Sequence, residues 1–164
     1  MKKNLLQFMI MCSIAFAITA CGSPRQTTSP ALSYEIECAG SGTQGVSIVK
    51  VWVYGNERNI NMDVLKHRAV HGLIFRGYAG TRGCPAQRPM ATNPGLEQER
   101  AIFFNDFFGP DKAYNRYASE VGGGLERVRV GREYKIGAVI SVSRDLLRRD
   151  LQAAGVIRGL ADGF

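Results

Sequence analysis

Residues 46–54, VSIVKVWVY, constrain the fold of this chain more than any other stretch. The nonapeptide is dense in β-branched and aromatic residues, which suit a pleated, half-buried surface. Strand alternation puts Val49, Val51 and Val53 on one face and Ile48, Lys50, Trp52 and Tyr54 on the other. A wholly aliphatic face demands a core on that side of a sheet. Residues 34–38 alternate as a short strand, and the glycine-rich 40–45 suits a hairpin between the two. A helix follows, with Asn61 as N-cap, Asp63 in its first turn and an end near Phe75 at Gly77 or Gly80. Met62, Leu65, Ala69 and Leu73, with Val70 and Ile74, form its apolar stripe. Gly72 inside that helix costs about 1 kcal/mol relative to Ala and implies close packing against a neighbour. Residues 79–95 form a long loop, residues 94–108 a second helix with an aromatic face, and residues 111–119 a short third helix. Residues 125–130 read as a strand with one wet face, and residues 134–142 as a strong strand. Ser143 caps a last helix over 144–154, with Gly155 at its end. The order ββααα-ββα predicts an α+β fold: an antiparallel sheet of about four strands packed against three to four helices.

Residues 1–21, MKKNLLQFMIMCSIAFAITAC, supply an address. Lys2 and Lys3 precede an uncharged apolar run, which is the layout of a secretory signal. Its end, Ile18-Thr19-Ala20-Cys21, resembles the lipobox of bacterial lipoproteins: small residues before an obligatory Cys. The resemblance implies a lipoprotein signal peptide over 1–20 and acylation of the Cys21 thiol, with palmitate as the expected type of chain. Residues 21–33 then form a lipidated flexible tether, and residues 34–164 a single α+β domain. A plain signal peptide or an N-terminal membrane helix is the alternative, because the run is about as long as a short spanning helix. The stretch after Cys21, Gly-Ser-Pro-Arg-Gln, lacks the acidic cluster that resembles a surface-export tag. A lipid anchor in the cell outer membrane, facing the periplasm, is therefore expected.

The full chain carries 21 Lys+Arg against 14 Asp+Glu, a formal +7, and loss of Lys2 and Lys3 with the signal lowers it to +5. Export argues against nucleic acid as a partner. The bases are scattered singly or in pairs, as on a solvated surface. Cys12 leaves with the signal, so Cys38 and Cys84 are the pair that an oxidising compartment would bridge. The bridge would close a loop of about 45 residues, worth roughly 3–4 kcal/mol on the chain-entropy model. Two free buried thiols are the alternative.

Candidates for chemistry are few. His67 and His71 stand at i, i+4 on the first helix, the spacing of two zinc ligands. A metalloprotease pattern needs Glu after the first His, and Arg68 stands there instead. With no third ligand nearby, no metal site is assigned; one ring is expected at the core edge and the other at the surface. Glu35/Glu37 alternate outward on a strand and Glu97/Glu99 belong to a helix start, so neither is assigned to acid–base hydrolysis. No GxSxG elbow surrounds Ser141 or Ser143, and Gly40-Ser41-Gly42 lacks a phosphate-loop ending. Neither a catalytic residue nor a cofactor is assigned. Arg76, Arg82 and Arg88 flank the Cys84 loop and are the candidate ligand-binding residues, suited to the carboxylates of peptidoglycan stems or to lipid phosphates.

YEIECAGSGTQG, KVWVYG, HRAVHGLIFRGYAG, LEQERAIFFNDFF and VGREYKIGAVISVSRDLLRRDLQAAGVIRGL together resemble a family of small uncharacterised lipoproteins of Bacteroides-type Gram-negative bacteria. More loosely, the strand, the Ala-containing helix and the late strand leading into a Leu-rich helix are similar to the small envelope domain of flagellar T-ring proteins. These resemblances imply a non-enzymatic scaffold or interaction component, with envelope proteins as partners and the membrane reached through the lipid on Cys21. The alternative is a periplasmic ligand-binding module for anionic cell-wall or glycan fragments.

Overall fold

The aliphatic face of residues 46–54 lies at the middle of an antiparallel sheet. The structure is a computed structural model that describes residues 33–55 and 60–158. The expected signal segment over 1–20, Cys21, the expected tether up to residue 32, residues 56–59 and residues 159–164 lie outside the described residues. The strands are β1 (Tyr34–Ser41), β2 (Ser47–Gly55), β3 (Ala118–Glu120), β4 (Glu126–Val130) and β5 (Glu133–Val142). The helices are α1 (Met62–Phe75), α2 (Leu96–Glu99), α3 (Ala101–Phe107) and α4 (Arg144–Ala153), with a 3-10 turn at Ala113–Tyr117. The fold is α+β, with five strands where about four were expected.

β1 pairs with β2, and β2 pairs with β5 along its whole length. The far edge of β5 is shared, with β4 at one end and β3 at the other. The register sets Val49 opposite Ile140, Val51 opposite Ala138 and Val53 opposite Ile136. These six side chains and Val142 are at most 1% exposed. α1 packs across β2 and β5 through Leu65, Ala69, Val70, Leu73 and Ile74, all fully buried. Gly72 has the close neighbour its position implied: a Cβ there would lie 2.7 Å from Ile36 Cδ1 of β1. Asn61 caps α1, its side chain accepting from the Val64 N–H at 3.1 Å. The helix ends at Gly77, whose φ of 66° lets its N–H reach the Gly72 carbonyl at 2.8 Å.

Several local expectations are corrected. The helix expected over 94–108 is two short pieces, broken at Arg100 (φ −113°, ψ 33°). Its first turn is held by Asn93, whose side chain accepts from the Gly95 N–H at 2.9 Å and donates to Glu99 at 2.7 Å. Residues 111–119 divide into the 3-10 turn and β3, because β5 leaves unpaired backbone groups that Ala118–Glu120 satisfy. β4 is exposed along its full length, with Val128 and Val130 about half-exposed, so both of its faces are wet. Ser143 stands at the N-cap of α4 but makes no side-chain cap. The Gly45 carbonyl accepts from the Asp145 N–H instead, at 3.0 Å, and so ties the first hairpin to α4.

The long 79–95 segment is pinned at three places. Tyr78 and Gln87 exchange backbone hydrogen bonds, as do Thr81 and Cys84. Cys84 forms a disulfide with Cys38 of β1, with Cα atoms 6.3 Å apart. Met90 and Ala91 then donate to the carbonyls of Leu73 and Ile74 at the end of α1.

Candidate functional site

Both histidines of α1 join an aromatic cluster, and neither stands at the surface as one of them was expected to. The His67 ring centroid lies 4.4 Å from that of Phe108 and 5.2 Å from that of Tyr114. His71 lies 4.7 Å from Phe75, and the i, i+4 spacing stacks the two imidazoles 6.1 Å apart. Phe108 follows the end of α3, so the short aromatic helix positions the lid of this cluster.

The polar contacts run in a line. His71 Nδ1 is 2.7 Å from the Tyr34 hydroxyl, and His71 Nε2 is 3.2 Å from Glu97 Oε1. Burial pulls the imidazoles down, His67 to about 3 and His71 to about 4, and the Arg68 charge pushes the same way. A neutral His71 carries one N–H. A carboxylate can only accept, so Nε2–H donates to Glu97 and Nδ1 accepts from Tyr34. The Glu97 contact is then a hydrogen bond and not an ion pair. Burial pushes the Tyr34 phenol up to about 12 and raises Glu97 as well. Arg76 stacks 3.9 Å over the Tyr34 ring and donates to the Tyr34 carbonyl at 2.8 Å. Arg68 lies 5.4 Å from the same ring, its Nε buried without a hydrogen-bond partner among the described residues.

Glu97–His71–Tyr34 has the order of a nucleophilic triad: acid, base, hydroxyl. Its energetics suit a different task. A triad base takes up a proton near neutral pH, and its hydroxyl must reach a substrate. His71 is held neutral down to about pH 4 and Tyr34 is 4% exposed. The chain of contacts instead fastens the first residue of β1 to α1 and α2. Among the described residues no group of three His, Cys, Asp or Glu side chains could hold a metal ion, and no helix is long and apolar enough to cross a membrane.

The three candidate arginines do not form one site. Arg76 and Arg88 line a groove of about 560 Å³ between the start of β1 and residues 77–89. Arg82 sits at the exposed tip of the 78–87 hairpin, outside that lining. Arg76 is already committed to Tyr34, whereas the Arg88 guanidinium has no hydrogen-bond or ion-pair partner among the described residues.

The outer face of the sheet carries a second network. Trp52 donates to Glu37 at 2.8 Å, Tyr54 donates to Glu35 at 2.7 Å, and Lys135 donates to the other Glu35 oxygen at 2.6 Å. The ammonium groups of Lys50 and Lys135 lie 4.5 and 5.1 Å from the Trp52 ring. The indole lies directly over Gly137, where a Cβ would collide with it. Tyr34, Glu97 and Gly137 carried no local signal of these roles, because each acts on a partner from a distant segment. Compared with protein-family models, curated protein sequences and solved structures, the chain matches none.

Proposed function

We propose that this chain is a lipid-anchored interaction domain of the cell envelope, exported, attached through Cys21 and facing the periplasm from the outer membrane. The observation that carries the reading is the Cys38–Cys84 disulfide. Such bonds persist in oxidising compartments. The bridge also consumes both cysteines of the domain and leaves Cys21 as the thiol available for a lipid. The apolar segment before Cys21 and the small polar residues after it agree with cleavage and tethering. The resemblance to small Bacteroides-type lipoproteins points the same way and favours a scaffold role without chemistry of its own.

Intact-mass measurement of the protein from membranes tests the anchor. The expected species begins at Cys21 and carries acyl chains and one intact disulfide; a species beginning elsewhere, or without lipid, removes the anchor. Gentle crosslinking in cells tests the role. Co-purification with envelope proteins is expected, and recovery only as a free monomer counts against it.

The second reading, a module for anionic cell-wall or glycan fragments, is favoured by Arg88, which lines its groove with no side-chain partner among the described residues. Binding to isolated peptidoglycan that survives Arg88→Ala removes that groove from consideration, and survival in Arg82→Ala as well removes the hairpin tip.

A further inference from the structure

A larger cationic cavity lies on another side of the domain. It measures about 1000 Å³ and runs between α4 with its C-terminal turn and the segment from Pro89 to Arg100. Its size is at the upper end for small-molecule sites. Met90, Leu96, Val156 and Ile157 line its apolar part, and Arg100, Arg148 and Arg158 bring cations to it.

The arginines differ in what they already do. Arg100 stands at the break between α2 and α3 and donates to the Gly155 carbonyl at 3.2 Å, so the break itself closes one wall. Gln152 donates to the Arg158 carbonyl at 3.3 Å and fixes that segment's backbone. The guanidinium groups of Arg148 and Arg158 have no hydrogen-bond or ion-pair partner among the described residues. Arg148 also borders a neighbouring hollow of about 400 Å³, where Arg144 is paired with Asp145 at 2.9 Å. The carboxylate in the larger cavity, Glu99, is bonded to Asn93. Three arginines against one glutamate leave the cavity a formal +2.

We propose that this cavity binds an organic phosphate, with Arg148 and Arg158 gripping the phosphate and the apolar floor taking the adjoining body. A phosphate monoester carries about −1.5 to −2 charges at neutral pH, which matches the cavity's excess. The guanidinium fork presents paired donors to its oxygens. The proposal rests on the ligand-binding reading above but moves the site away from Arg76, Arg82 and Arg88. Among the described residues, those three bring one cation without a side-chain partner to a groove; this cavity has two, beside an apolar lining.

The test is calorimetric titration of the full processed protein in non-ionic detergent with phenyl phosphate, alongside inorganic phosphate. Saturable binding of phenyl phosphate, tighter than that of inorganic phosphate, is expected. Arg148→Gln is expected to weaken it about tenfold, the loss of a charged hydrogen-bond donor. Arg158→Gln is expected to act likewise, so the result does not hang on one variant's folding. Arg132→Gln, at the opposite end of β5 from α4, is expected to bind as the parent does. Competition by dihexanoyl phosphatidic acid, a phosphate monoester, below its micelle concentration would assign the phosphate to a lipid headgroup, and lack of competition to a soluble ligand; either agrees with the site. Binding lost in Arg88→Gln and kept in Arg148→Gln and Arg158→Gln overturns this site and preserves the ligand-binding reading. No saturable binding of either probe overturns this site, while the peptidoglycan assay above decides the ligand-binding reading separately.

Discussion

On one face of β2 the side chains of Val49, Val51 and Val53 disappear completely into the core. On the other, Lys50, Trp52 and Tyr54 join a lattice of carboxylates and ammonium groups that stands outside it. Both faces are ordered, but by different forces. The inner face is held by excluded water and close packing, which are hard to replace. The outer face is held by partly exposed charge pairs, which water and salt can replace cheaply. The inner face should therefore govern stability. The outer face is where charge can vary at small cost.

The largest expected effect tests the inner face at its edge. Cys38 follows Tyr34 and Ile36 along the inward side of β1, and its bridge to Cys84 spans 46 residues. Replacing both cysteines by Ser should cost about 4 kcal/mol on the chain-entropy model. Urea midpoints of the double variant and of the parent, with and without reductant, check this. A loss below about 1 kcal/mol would mean that the backbone pairing of 78–87 already closes the loop without the bridge.

Acid supplies the next effect. The folded pKa of His71, about 4, lies below its unfolded value near 6.5, so the unfolded chain takes up the proton first. The stabilisation is whole above about 6.5 and is lost as pH falls toward about 4. The slope approaches ~1.4 kcal/mol per pH unit. His67 adds in the same direction, down to about 3. Glu97 opposes them: burial raises its pKa, so its proton is taken up first in the fold and softens the loss in the carboxylate range. Stability measured against pH should fall through this window, and His71→Leu should flatten the fall. A flat parent profile would place the rings in water and undo the Tyr34–His71 fastening.

The parts of this molecule legible beforehand are those where one local period decides. The inward valines, the α1 stripe with Asn61 and Gly77 at its ends, and the β1–β2 hairpin all follow from spacing within about 15 residues. The cysteine pair was readable because the expected loss of Cys12 with a signal and use of Cys21 as an anchor left Cys38 and Cys84 to pair. What escaped was settled by tertiary competition. Arg100 breaks a helix whose sequence reads as continuous and turns its side chain to Gly155. Ala118–Glu120 leaves helical geometry to cover the edge of β5. The candidate sites divide the same way. The candidate arginines Arg76, Arg82 and Arg88 follow from their nearness to Cys84 in sequence, whereas the larger cavity draws on Arg100, Arg148 and Arg158, which only the fold brings together.

Gly137 sharpens the comparison from the outer side. Alanine there would drive a Cβ into the Trp52 indole, and overpacking of this kind costs about 1–3 kcal/mol. Trp52→Val removes the ring, and Gly137→Ala on that background should cost far less. The difference between the two backgrounds is a coupling energy read by a double-mutant cycle. Additive costs would mean that the indole moves aside freely, and that the lattice does not hold it.

The smallest expected effect belongs to Glu35. Lys135 and Tyr54 donate to its two oxygens and hold its carboxyl below the usual range. That stabilisation is present above the unfolded carboxyl value and is lost as pH falls through the folded one. The Glu35 side chain is 54% exposed, so the pair is screened by solvent and should contribute less than about 1 kcal/mol. Glu35→Gln should therefore shift the urea midpoint slightly at low salt and hardly at all at high salt. Ile140→Ala, behind the same sheet, should cost about 2–5 kcal/mol at either, because Ile140 is fully buried. If Glu35→Gln approached the cost of Ile140→Ala and kept it in salt, the outer lattice would be acting as a second core. The division between a face held by packing and a face held by charge would then fail.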